Sequence, residues 1–119
     1  MSEAGELFPQ QTFNGVPNDA IEEVFEYWKL IMKKRSTVVL DDPRKKKITA
    51  AIKRSGVASV KLSIDGCLLS SWHQGQNPRN KKYDDIELIL RNAQKQEDFE
   101  DLALTSKVGQ EELDEWLSS

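Results

Sequence analysis

One stretch, SSWHQGQNPRNKKYDD from Ser70 to Asp85, gathers most of what could do chemistry in this chain: its one histidine, a tryptophan, a tyrosine, three bases and a run of neutral amides. Acid–base catalysis at His73 would need a nucleophile and an oxyanion donor, and the sequence nominates neither. The carboxylate pairs Asp84/Asp85 and Glu97/Asp98 are adjacent in sequence, so on a helix they point about 100° apart and form no ready acid–base or metal pair. Cys67 is the single cysteine, which excludes an internal disulfide and a thiolate metal cluster. There is no phosphate-binding glycine loop, no dinucleotide fingerprint, no nucleophile elbow and no His-rich metal motif. We therefore read no catalytic residue, cofactor or metal, and the chain is not expected to be an enzyme. Binding remains. Trp72 and Tyr83 are aromatic faces bracketing Arg79, Lys81 and Lys82, and aromatics that stack on bases beside cations that track phosphates suit a single-stranded nucleic acid. The plainer alternative is that the aromatics pack into the core while His73 and Asn77 bond loop backbone.

Charge is distributed in blocks. Six acids and no bases lie in residues 1–28, fourteen bases and three acids in 29–82, and eleven acids against three bases in 83–119. The net charge of −3 conceals this basic middle. Lys45, Lys46 and Lys47 fall in the first turns of an expected helix, against its dipole, and with Arg79, Lys81 and Lys82 they are the expected phosphate contacts. Replacing Lys45, Lys46 and Lys47 by Glu is expected to abolish binding.

These residues must be carried by something, and the hydrophobic periodicity supplies it. At 119 residues and 38% hydrophobic content the chain can build one modest core. Residues 1–17 read as a flexible arm, with Leu7, Phe8 and Phe13 available to dock. A first helix follows, with Asn18 or Asp19 as cap, an apolar stripe at Ile21, Val24, Phe25, Trp28, Ile31 and Met32, and bases Lys33 to Arg35 closing it. Asp41 or Asp42 with Pro43 starts a second helix that stops near Gly56. A third runs through Val57, Val60, Ile64, Cys67 and Leu68. Gly66 inside it costs about 1 kcal/mol relative to Ala, which implies a neighbour close to the backbone; Cys67 reads as a small core residue. A fourth helix starts at Asp84 and Asp85 and carries Ile86, Ile89, Leu90 and Ala93, with Phe99 and Leu102 extending it or opening a fifth. No segment reads as an alternating strand and no hairpin is expected. The expectation is an all-α bundle of four to five short helices over residues 18–105, followed by an acidic amphipathic tail, 106–119. In that tail Leu113, Trp116 and Leu117 share a face that can fold back or dock on a partner protein.

The pattern Phe25-x-Tyr27-Trp28 with Met32, then Asp42, Arg44 and Ile48, Ile64-Asp65-Gly66, Ser70, His73-x-Gly75-x-Asn77, and Tyr83-Asp84-Asp85-Ile86 through Ile89 and Arg91 resembles the carboxy-terminal region of phage and prophage replication proteins of the replisome-organiser type. The likeness spans about residues 20–99 and is most specific from Asp65 to Arg91. More remotely, the region is similar to the helical domain of primosome proteins of the DnaD kind. The resemblance implies a DNA-replication accessory protein that binds the bacterial replicative helicase as loader or adaptor and contacts single-stranded DNA. Such proteins usually carry a winged-helix domain ahead of this region, whereas only about twenty residues precede the first helix here, so origin recognition is not expected of this chain. The rival expectation is an inhibitor of a host replication or defence protein without functional DNA binding. With no apolar run near the roughly 20 residues a bilayer requires, and no secretory signal at the acidic start, the expected place is the cytoplasm of the bacterial host cell. Stoichiometry is not legible.

Overall fold

The computed structural model describes residues 11–118, with backbone alone beyond Thr105. It is 62% helical, an all-α bundle of four helices among the described residues with one small two-stranded hairpin. No helix among those residues is long and apolar enough to cross a membrane.

The chain enters through strands β1 (Thr12–Phe13) and β2 (Val16–Pro17), antiparallel, with Thr12 opposite Pro17 and Phe13 opposite Val16. This corrects the expected absence of a hairpin and the reading of residues 12–17 as loose arm. Asn14 and Gly15 both take positive φ, 51° and 85°, the backbone a two-residue type I′ turn demands, and Asn-Gly is the pair that adopts it at least cost. Val16 is buried and Phe13 packs on the core. Residues 1–10 of the arm lie outside the described residues.

Helix α1 (Asn18–Ile31) buries Ile21, Val24, Phe25 and Trp28, the stripe its spacing dictates. Its start is corrected: Pro17 occupies the cap position and no side chain caps it, so Asn18 is already helical. It also ends before the basic run, because Lys33 turns left-handed at φ 54° and the Lys34 amide donates back to the Lys29 carbonyl at 2.8 Å. That is the geometry a glycine normally supplies at a helix end.

Helix α2 (Asp42–Leu69) begins as the sequence implies, with the Asp41 carboxylate accepting from the Arg44 amide at 3.1 Å and proline in the first turn. Its two halves meet at Gly56, whose φ of 87° and ψ of 164° only glycine adopts readily. The expected stop is thus a kink without a loop. The first half buries Ile48, Thr49 and Ala51, the second Val60, Ser63, Ile64, Gly66 and Cys67.

The expected fourth helix is in fact two. A single turn, α3 (Ile86–Ile89), is capped by the Asp85 carboxylate, which accepts from the Glu87 amide; α4 (Ala93–Ser118) begins afresh, with the Asn92 side chain accepting from the Lys95 amide at 2.8 Å. Ile86, Ile89 and Leu90 are all buried, so this turn plugs the core from one end. α4 then runs as one helix through the stretch read as a separate tail.

α4 packs across both halves of α2. A Cβ added at Gly66 would overlap the Phe99 carbonyl, so the close neighbour its sequence position implied is the backbone of α4. Buried Gln96 ties the kink: its side-chain oxygen accepts from Arg54 at 2.6 Å, its amide donates to Ser55, and its carbonyl accepts from Ser63 at 2.9 Å. A buried amide with every group engaged fixes the register of the helices it bridges.

Candidate nucleic-acid interface

The loop from Ser70 to Tyr83 leaves the end of α2 and returns to the core at Asp84. Asn77 holds it together. Its side-chain nitrogen donates to the carbonyls of Trp72 and Lys81, both at 2.7 Å, and its oxygen accepts from the amides of Arg79 and Lys81. The full hydrogen-bonding capacity of one side chain is spent on the loop's own backbone. The Tyr83 amide also donates to the His73 carbonyl at 2.8 Å, and Gln74 pairs with Lys82 as an antiparallel bridge. Gln74 anchors the near end, donating to the Cys67 carbonyl at 3.0 Å. The loop is therefore a built surface.

Its two aromatics are brought face to face. Trp72 and Tyr83 stack with ring centroids 5.1 Å apart and planes 17° from parallel, and Trp72 remains 50% exposed. His73 meets Trp72 edge-on at 5.0 Å and Phe99 edge-on at 4.8 Å, and its Nδ1 lies 2.7 Å from the Ser70 hydroxyl, so the platform continues into α4. Burial, and then the charge of Lys95, hold the His73 pKa below its ordinary value, which keeps the ring neutral at pH 7.

Lys81 sits 5.5 Å from the Tyr83 ring centre, and Arg79 and Lys82 are exposed on the same loop. Lys95 is a cation that the sequence reading missed, since it stands in an acid-rich block. Its ammonium lies 5.4 Å from the Phe99 ring centre, beside His73. The signal that could have found it is the Asn92 cap, which places residue 95 one turn into a helix whose Phe99 faces the core.

Lys45, Lys46 and Lys47 are arranged differently. Lys45 lies over the Phe13 ring at 5.3 Å, and Lys47 donates to the Arg91 carbonyl at 3.1 Å, so those two are turned to separate parts of the chain and half-buried, while Lys46 is exposed. Beside Lys45 an open cleft of about 620 Å³ is lined by Gln11, Ile21, Val39 and Leu40 among others. The expected partner residues Leu113, Trp116 and Leu117 fall where only the backbone is described.

The remaining reactive types are structural. Cys67 is fully buried, and desolvation, with a further push from Asp84, raises its thiol to about 12. Asp84 pairs with Lys34 at 2.8 Å while its carbonyl accepts from the Trp28 indole at 2.8 Å, which joins the end of α1 to the start of α3. Tyr27 donates to Asp65 at 2.6 Å, and desolvation followed by that hydrogen bond raises its phenol to about 12. Among the described residues no three histidine, cysteine, aspartate or glutamate side chains stand close enough to hold a metal ion.

No protein-family model, curated protein or solved structure matches the chain.

Proposed function

We propose that this chain binds single-stranded DNA through the loop from Ser70 to Tyr83, in the role of a phage DNA-replication accessory protein that engages the bacterial replicative helicase. The observation that carries the DNA part is the half-exposed Trp72 stacked on Tyr83, with Arg79, Lys81 and Lys82 on the same loop and Lys95 beside His73. A base has a π-face for Trp72 to receive, and a flexible single strand can place its phosphates on cations spread around that ring; a duplex keeps its bases stacked away from it. The helicase part is supported by the resemblance of residues 20–99 to replication proteins, as is the cytoplasm of a bacterial host. The main phosphate contacts are assigned to Arg79, Lys81 and Lys82 because they are exposed on the loop that carries Trp72, whereas Lys47 is engaged by the Arg91 carbonyl.

A second reading keeps the protein contact and drops the DNA: Leu68 and Leu69 are 44% and 49% exposed next to Trp72, an apolar edge that suits a protein partner. One titration separates the two. Four loop-proximal cations predict that affinity for a short oligothymidylate falls with salt on a log–log slope of about −3, from about 0.7 per phosphate neutralised. The variant R79E/K81E/K82E should lose that binding, and K45E/K46E/K47E should weaken it less. Wild-type binding without a salt slope, or full retention in the loop variant, refutes the nucleic-acid reading.

A further inference from the structure

We propose that the chain pairs with a second copy of itself, the acidic end of α4 from one copy, Glu111 to Leu117, seating on the other copy's surface at Leu68, Leu69 and Trp72. Two observations define complementary halves. The recipient surface carries three apolar side chains between 44% and 50% exposed, followed by the exposed bases Arg79, Lys81 and Lys82 of the loop, with Lys81 against the Tyr83 ring that stacks on Trp72. The donor, EELDEWL, has four acids and places Leu113, Trp116 and Leu117 at i, i+3 and i+4 of a continuous helix. An apolar stripe bordered by acids meets an apolar patch followed by bases, the pairing that sets both affinity and register at helix-in-groove contacts.

Helix geometry decides that the donor belongs to another copy. Phe99 touches His73, the neighbour of Trp72, at the other end of α4. Trp116 lies farther along the same unbroken helix, roughly 25 Å away at about 1.5 Å per residue. While α4 is helical its end cannot reach its own loop. Exchange between two copies fills both recipient surfaces and closes the assembly as a two-fold dimer. Trp116 with the half-exposed Trp72 contributes roughly 200–400 Å² per contact, and two such contacts with the flanking leucines reach the roughly 1,000 Å² that a specific interface must clear. The inference stands whether or not the loop also takes DNA.

Sedimentation of the full chain across a concentration series tests it. Wild type should form a dimer that dissociates as salt rises, and Trp116→Ala should raise the dissociation constant at least tenfold, with helicity checked by circular dichroism. The loop variant R79E/K81E/K82E and the tail variant E111K/E112K/D114K/E115K should each be monomeric alone and form a heterodimer when mixed, because reversal on both sides restores attraction. A wild type that stays monomeric throughout, a dimer that survives both reversals, or two monomeric variants that fail to pair on mixing would each overturn the proposal.

Discussion

Substituting Gly66 by Ala should destabilise the protein, against the usual direction for a glycine inside a helix. Removing glycine from a helix interior ordinarily gains about 1 kcal/mol. Here the added methyl meets helix backbone: its ideal position is 2.9 Å from the Phe99 Cα and overlaps the carbonyl beyond it. Backbone cannot rotate aside as a side chain can, so α4 must move away from α2. That shift loosens Phe99 against His73, and Ser63 against the Gln96 carbonyl. Overpacking of this kind costs about 1–3 kcal/mol and more where backbone must move, so even after the propensity gain we expect a net loss of about 2 kcal/mol. For a chain of this size that is a fall in Tm of about 8 °C. Thermal and urea unfolding of Gly66→Ala should be compared with Ala58→Gly, an exposed position in the same half of α2 that carries only the propensity term of about 1 kcal/mol. A Gly66→Ala protein equal to or more stable than wild type would refute the packing of α4 on α2 described above.

Three further outcomes follow from side chains already placed. Cys67 should be inert to a thiol reagent at pH 8 in the native state, where a thiol at about 12 is roughly one part in ten thousand thiolate and no reagent can reach it, and should react promptly in denaturant; rapid native labelling would contradict its place in the core. Tyr27 binds its proton more tightly folded than unfolded, so its contribution is complete below pH 10 and is lost as pH rises toward 12; Tyr27→Phe should remove that component of the alkaline decline measured by urea titration. Asn77→Ala should release four backbone contacts, speed amide exchange from residues 79 to 83, and weaken oligonucleotide binding while leaving the exchange of α1 unchanged.

What could be read in advance follows from how local each cause is. The stripe of α1, the Asp41 and Pro43 start of α2, the break at Gly56, the close approach at Gly66 and the burial of Cys67 each depend on a residue type at its own position, and the structure has all five. The hairpin escaped because two-residue strands are too short to show alternation, although Asn14-Gly15 was its signal. Lys33 in a left-handed backbone carries no mark in its residue type, so the apolar spacing predicts a longer α1 than the structure has. Asn92 did carry one, an amide cap, but the apolar spacing from Ile86 to Phe99 ran across it. The candidate site divides the same way. That Asn77 bonds loop backbone is legible from its residue type, while the face-to-face pairing of Trp72 with Tyr83 depends on a turn that only the folded loop defines. Charge blocks hide Lys95, which only the Asn92 cap points to, and Gln96 could not be found because its role comes from the packing of α4 on the kink in α2.

The most direct test of the account is the affinity of a short oligothymidylate for wild type and Trp72→Ala, measured by fluorescence anisotropy at low salt beside a duplex of the same length. Loss of one base-stacking contact, worth about 1–3 kcal/mol, predicts a drop of roughly fivefold to more than a hundredfold in the variant and weaker binding of the duplex throughout. Equal affinity of wild type and Trp72→Ala, or a duplex bound as tightly as the single strand, would contradict the assignment of this loop as a single-strand site.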